Sequence, residues 1–250
     1  MRPAIKILVA IGLSFSAIAA YAQTAQLPVV NEGDSWVYKQ TDRLPNGETR
    51  EETDTNVISR VGSDGIVLAA KRADSTMPAH ETLLGRDWSF ARSIQGRMQV
   101  LSRPFSFPMK PGDMWKIEYD EDRPNAVIKT RHTEKEYKVA GWENITVAAG
   151  TFRALKIEST GIWHIDFQPA PATAGAIARS GEYGNSVTMV NQRPIARDPA
   201  TGRTYGAWWY VPEVRRPVKI LLEEYNSGDG LAGRQVFELQ SFNATGTKTE

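Results

Sequence analysis

The chain has 250 residues with no Cys, and its 30 Lys and Arg residues almost balance 29 Asp and Glu, which gives a formal net charge of +1. Nucleic-acid-binding proteins need a basic face, so this balance argues against a nucleic-acid partner. Without Cys there is no disulfide framework, no thiolate metal site and no Cys nucleophile.

The N-terminus has the pattern of a secretory signal peptide. Two cations, Arg2 and Lys6, precede an apolar run over residues 7–20, and Ala20-Tyr21-Ala22 follows as a small-x-small cleavage motif. Cleavage between Ala22 and Gln23 leaves 228 residues with a net charge of −1. No Cys stands near the cleavage site to carry a lipid anchor. We therefore predict a bacterial periplasmic or secreted protein that meets the membrane only through the signal peptide, before cleavage.

After residue 22 the sequence alternates as β-strands do. Trp36 and Tyr38 alternate with Val37 and Lys39, and similar runs surround residues 115, 163 and 236. A period of two with polar partners is typical of half-buried antiparallel strands, and turn residues recur at roughly 8–12-residue spacing. The pattern predicts one all-β domain over residues 23–250, a strongly curved antiparallel sheet that forms a half-barrel or a barrel.

Helical patterns are confined to residues 76–87 and 172–180, where two short helices are possible. The stretch from Gln168 to Thr204 is rich in Ala, Gly and Pro, with one strand-like core at residues 186–190. A connection of this length is usually a functional flap or a disordered excursion. We interpret residues 168–204 as an insertion of one of these two kinds.

A short motif, G-D-x-W, occurs twice. Gly33 to Trp36 and Gly112 to Trp115 each open a predicted strand that continues to an aromatic residue. The repeat suggests two sheet halves of similar construction, residues 27–103 and 104–250.

Motifs for catalysis or cofactor binding are weak. Residues 228–233 match G-x-G-x-x-G by letter, but predicted strands flank them on both sides, so a hairpin loop is expected instead of a dinucleotide site. His80, His132 and His164 show no metal-binding spacing and are predicted to lie on the surface. We assign no catalytic residue, no metal ligand and no cofactor.

Two charged runs have structural interpretations. The acidic residues between Glu118 and Asp122 could hold Ca²⁺, but their spacing fits no calcium loop and a solvated strand end is favoured. The run from Lys129 to Lys138 is polar on both faces, which is typical of a protected edge strand.

Aromatic residues give the best indication of a binding site. The chain has seven Trp, and Trp208 and Trp209 are adjacent, so in a strand they point to opposite faces. Trp is common where a site is partly apolar and partly wet. Trp208, Trp209 and Tyr210 are the predicted ligand-binding residues, at the rim of a cavity, although core packing would also explain them.

Several segments together resemble an uncharacterised family of exported bacterial proteins, sometimes called TapB-like. They are residues 33–38, 105–115, 141–152 and 209–213. The family pattern V-P-A-G-T-F has Ala148 in place of Pro here. The resemblance implies a β-rich, curved or barrel-like sheet in the bacterial envelope, and it carries over no catalytic residue.

These observations favour a non-enzymatic periplasmic binding or envelope-assembly protein that holds a hydrophobic small molecule in a β cavity. Two alternatives remain open. One is a structural or interaction module that binds another envelope protein. The other is a hydrolase that uses a pair of carboxylates.

Overall fold

A computed structural model describes residues 24–169, 176–179, 186–189 and 198–244. Within these ranges all regular structure is β and no helix occurs, which confirms the predicted all-β class. The strands are β1 (Ser35–Arg43), β2 (Thr49–Gly62), β3 (Gly65–Arg72), β4 (His80–Leu84), β5 (Phe90–Ile94), β6 (Arg97–Ser102), β7 (Met114–Asp122), β8 (Ile128–Val147), β9 (Gly150–Phe167), β10 (Ala176–Arg179), β11 (Ser186–Met189), β12 (Ala200–Val211), β13 (Arg216–Tyr225) and β14 (Leu231–Asn243).

Ten strands form one antiparallel sheet in the order β4-β3-β2-β1-β14-β13-β12-β9-β8-β7. Among the described residues β4 and β7 have no partner on their outer sides, so the sheet is open and does not close into a barrel. Register shifts interrupt the pairs β1–β14, β2–β3, β8–β9 and β12–β13. Such bulges bend strands locally and increase their twist.

Both predicted helices are wrong where the structure describes them. Residues 80–84 form β4, which pairs with β3, and residues 176–179 form β10, which pairs with β11. The strand-like core of the insertion is confirmed as β11, but β12 already begins at Ala200, so the insertion ends before Thr204. The signal peptide and its cleavage site at Ala22 and Gln23 lie outside the described residues.

The polar run from Lys129 to Lys138 is not an edge strand, contrary to the prediction. It belongs to β8, which pairs with β7 on one side and with β9 on the other. Its polar side chains therefore face into the structure on one side of the sheet.

The two G-D-x-W segments form the same turn. Gly33 has φ +88° and donates its N–H to the Ile58 carbonyl at 2.9 Å, while Gly112 has φ +92° and donates to the Val139 carbonyl at 2.9 Å. A side chain is disfavoured at such positive φ angles, which explains glycine at both positions. The strands that follow the two turns, β1 and β7, belong to one continuous sheet.

The aspartates of the two turns also act alike, but their surroundings differ. Asp34 accepts a hydrogen bond from the Asn31 N–H, and Asp113 accepts one from the Lys110 N–H, both at 2.9 Å. Asp34 is fully buried and forms an ion pair with Arg215 at 2.7 Å. Asp113 is half-buried and forms no ion pair with a described residue.

One face of the sheet, here called the inner face, is partly covered by residues 85–113, which link the two edge strands. Trp88 of this segment meets Trp36 edge-on, with ring centroids 5.8 Å apart, and Phe105 meets Tyr210 at 5.2 Å. All four rings are buried in the main core. The segment therefore forms the core with one part of the inner face and leaves another part uncovered.

Candidate functional site

A cleft of about 430 Å³ lies on the inner face where β1, β8, β9, β12, β13 and β14 pass side by side. We call it the inner cleft. Its volume falls in the usual range for small-molecule sites, about 300–1,000 Å³. Its wall combines apolar groups, polar groups and charges; the residues used below are Asp42, Arg131, Lys135, Ser159, Thr204, Gly206, Trp208, Leu222, Glu224 and Gly233.

Two glycines within strands make room for the cleft wall. A Cβ at Gly206 would stand 2.4 Å from the Trp208 ring and 2.8 Å from the Ser159 hydroxyl. A Cβ at Gly161, on β9, would stand 2.8 Å from both Lys135 Cγ and Thr204 Oγ1. The Trp208 ring and the Lys135 stem therefore lie flat over backbone that has no side chain.

Cross-strand register brings the polar groups of the cleft together. Lys135 pairs with Gly161, and Gly161 pairs in turn with Thr204, so their side chains share the inner face. Ser159 pairs with Gly206 two residues along, which is the next position on the same face. Lysine, serine and threonine thus meet over the glycine floor.

Several of these polar groups have no partner. Ser159 is only 4% exposed, and its hydroxyl forms no hydrogen bond with a described residue. Thr204 Oγ1 and Arg131 Nε are buried and have no hydrogen-bond partner within the described chain. Buried polar atoms are normally satisfied, so these atoms beside the cleft are positions where water or a bound molecule supplies the missing hydrogen bond.

The charges around the cleft are mixed. Arg131 lies 3.7 Å from Glu224 and its guanidinium lies 5.9 Å from the Trp163 ring centroid. Asp42 accepts hydrogen bonds from the Gln40 and Gln235 amides. Burial lowers the pKa of Lys135, the nearby Arg131 lowers it further, and Glu224 opposes the shift. The cleft can therefore recognise a polar group as well as an apolar one.

The three aromatic residues predicted from sequence separate in the structure. Trp208 lines the cleft and its ring lies 5.7 Å from that of Tyr137. Tyr210 also faces inward but is fully buried in the core against Phe105. Only Trp208 of these three therefore reaches the cavity, and a binding role for it stays a prediction.

Trp209 lies on the opposite, outer face, as the strand alternation requires. Its ring lies between two lysines, with Lys156 Nζ at 5.5 Å and Lys219 Nζ at 6.0 Å from the ring centroid, and its indole N–H donates to Glu143. These contacts place the Trp209 ring on the outer surface, away from the inner cleft, and a binding role for it also stays a prediction.

A second cluster on the outer face could hold a divalent cation. The ligand atoms of Glu118, His132 and Glu134 all lie within 4.8 Å of one another. Asp120 accepts from His132 Nδ1 at 2.8 Å, which directs Nε2 toward the two glutamates. Hydrogen bonds to Asp120 and then Glu134 raise the pKa of His132. Sequence spacing missed this set, because pairing of β7 with β8 brings it together.

Comparison with protein families and curated proteins identifies no relative: no family profile matches the sequence, and no curated protein does either. The TapB-like resemblance therefore stays a prediction. Among the described residues, none forms a helix long and apolar enough to cross a membrane.

Three solved structures are similar in part. A proposed exported protein with a YmcC-like fold from Bacteroides fragilis has 14% identity and a TM-score of 0.43, covering 88% of this chain and 99% of its own. A proposed lipoprotein from Parabacteroides distasonis has 14% identity and a TM-score of 0.45, covering 88% and 100%. The hypothetical lipoprotein YmcC from Escherichia coli has 10% identity and a TM-score of 0.30, covering 81% and 83%. No residue role is transferred from any of them.

Proposed function

We propose that this protein is a non-enzymatic binding protein of the bacterial envelope that holds a hydrophobic small molecule in the inner cleft. The observation that carries the proposal is the wall of the cleft, where Trp208 and Leu222 offer apolar surface beside a floor of glycine. Such a concave site with a few convergent polar groups is the usual form of a ligand pocket. The signal-peptide pattern supports export, and the TapB-like resemblance belongs to the same proposal.

The carboxylate hydrolase is the less favoured alternative. The inner-face acids of the cleft are Asp42 and Glu224. Asp42 already accepts hydrogen bonds from two side-chain amides, and Glu224 faces the guanidinium of Arg131. Both carboxylates therefore serve as acceptors or ion-pair partners of neighbouring groups. Neither arrangement singles out a proton donor for a leaving group.

The first experiment is native mass spectrometry of the protein purified from the periplasm, followed by organic extraction. A co-purifying mass of lipid size supports the proposal. In parallel, the apo protein is titrated with phenylnaphthylamine, an uncharged apolar dye that fluoresces when it leaves water. Saturable binding of the dye is the expected result.

A variant with a larger side chain in the cleft wall tests whether the dye binds in the inner cleft. Gly233 lines the cleft, and a Cβ built on it meets nothing within 4 Å, so Gly233→Leu adds a bulky side chain to the cleft wall from a position with room for its Cβ. Gly62→Leu is the matched control, because a Cβ there makes only ordinary contacts at 3.9 Å in another part of the sheet. We expect Gly233→Leu to weaken dye binding by at least about tenfold and Gly62→Leu to leave it unchanged. No dye binding and no co-purifying mass would overturn the proposal in favour of an interaction module.

A further inference from the structure

We propose that the molecule held in the inner cleft is an amphiphile with an anionic head, and that Lys135 is the counter-ion of that head. This inference rests on the proposed function and names the chemical class of its ligand. The apolar part of the molecule lies against Trp208 and Leu222, and the anion lies beside Lys135, Ser159 and Thr204, which line the same cleft.

Lys135 differs from the other half-buried lysines of the sheet. Three other lysines are half-buried, and each pairs with a glutamate: Lys39 with Glu51 at 2.9 Å, Lys156 with Glu158 at 2.8 Å and Lys219 with Glu238 at 2.7 Å. Lys135 is half-buried as well, yet it forms neither an ion pair nor a hydrogen bond with any described residue, and Glu224 acts on it only from beyond ion-pair distance.

A half-buried ammonium without a close partner is costly, because it loses hydration and the attraction to Glu224 offsets only part of that loss. The lysines with no ion pair elsewhere in the described chain are Lys71, Lys110, Lys129 and Lys138, and all of these are exposed to water. An anion in the cleft would supply the missing partner for Lys135.

Neutral hydrogen-bond donors line the cleft together with Lys135. The hydroxyl of Ser159 and that of Thr204 line the same cleft, and neither has a hydrogen-bond partner among the described residues. One ammonium and two hydroxyls can donate to the oxygens of a single carboxylate or phosphate. Glu224, the acid that acts on Lys135, is already opposite Arg131 at 3.7 Å.

Gly161 leaves room for the side chains of Lys135 and Thr204. A Cβ at Gly161 would occupy the position of the Lys135 stem and of the Thr204 hydroxyl, both 2.8 Å away. Glycine in the interior of a strand weakens the strand and often marks a close approach of another group. Here it allows the ammonium and the hydroxyls to face the same volume.

The test compares three single-chain ligands that differ only in the head: dodecanoate, dodecyl phosphate and dodecanol. Each is measured by its displacement of phenylnaphthylamine from the full exported protein. We expect the wild type to bind at least one anion about tenfold more tightly than the alcohol, the usual gain from a charge-assisted contact. The tighter anion identifies the head as carboxylate or phosphate, and either result supports the inference.

Three variants test whether the preference for an anionic head depends on Lys135. Lys135→Met keeps the apolar stem and removes the charge, and we expect it to bind all three ligands alike with unchanged affinity for dodecanol. Lys135→Arg should retain the preference. Lys138→Met is the matched control, since Lys138 lies on the same strand, points to the other face and is exposed. Melting temperatures confirm that each variant is folded.

The outcomes separate the two proposals. If none of the three ligands displaces the dye, the proposed function fails and the inference fails with it. If dodecanol binds as tightly as both anions, or if Lys135→Met retains the anion preference, only the inference is overturned. An equal loss in Lys138→Met would also overturn it, because the effect would then come from net charge and not from contact.

Discussion

Replacing Asp34 with alanine tests the role of the buried ion pair that joins the first G-D-x-W turn to the β12–β13 turn. Asp34 is fully buried, and Arg215 is 8% exposed with its Nη1 atom 2.7 Å from Asp34 Oδ2. Removing one partner of a buried pair leaves an uncompensated charge and costs about 3–5 kcal/mol. For a domain of this size each 1 kcal/mol shifts the melting temperature by about 2–4 °C, so a fall of about 6–20 °C is expected.

The second G-D-x-W turn supplies the control. Asp113→Ala removes the same backbone hydrogen bond but no ion pair, so the expected loss is about 1 kcal/mol. Circular dichroism melts of both variants give the comparison. In the double variant Asp34→Ala with Arg215→Met no charge is left unpaired, and we expect it to be no less stable than Asp34→Ala alone. Equal losses in Asp34→Ala and Asp113→Ala would refute the reasoning.

Two further predictions concern the outer face and the strand glycines. In an NMR titration His132 should have a pKa above its ordinary value of 6.5, and Asp120→Asn should lower that pKa. Because the pKa is raised in the folded state, the stability that His132 contributes is fully present below pH 6.5 and is lost as the pH rises through the folded-state pKa. A measured pKa at or below 6.5 would contradict this prediction. Gly202→Ala places a Cβ 2.1 Å from a backbone carbonyl oxygen, so urea unfolding should show a loss of about 1–3 kcal/mol, whereas Gly233→Ala should stay within about 0.5 kcal/mol. Equal losses of stability in the two glycine variants would show that the close contact at position 202 does not cause the loss.

The alternation of the strands could be predicted from the sequence because it depends only on neighbouring residues. Trp36 and Tyr38 are buried on the inner face, and Trp208 and Trp209 lie on opposite faces, as a period of two requires. The prediction of a helix at residues 76–87 was wrong because the structure there depends on residues distant in the sequence. His80 to Leu84 are extended because they pair with β3, and this long-range pairing overrides their local preference.

The inner cleft could not be predicted, because it depends on the pairing register that brings together residues far apart in the sequence. Lys135, Gly161 and Thr204 become neighbours only when β8, β9 and β12 pair in this register. The charged run that contains Lys135 was interpreted as an edge strand because both of its faces are polar. Gly161 and Gly206, each isolated within a strand-like run, were the available sequence signal for a close approach.

The unpartnered polar atoms give the last physical argument for a ligand. Among the described residues eight buried side-chain atoms have no hydrogen bond, and four of them lie on the adjacent strands β8, β9 and β12 near the cleft: Arg131 Nε, Thr133 Oγ1, Trp163 Nε1 and Thr204 Oγ1. Each such atom costs about 1–3 kcal/mol when it is left unsatisfied. Arg131 and Thr204 line the cleft, so a bound polar head can recover part of that cost. The polar end of the cleft is therefore where we expect binding to stabilise the folded chain most.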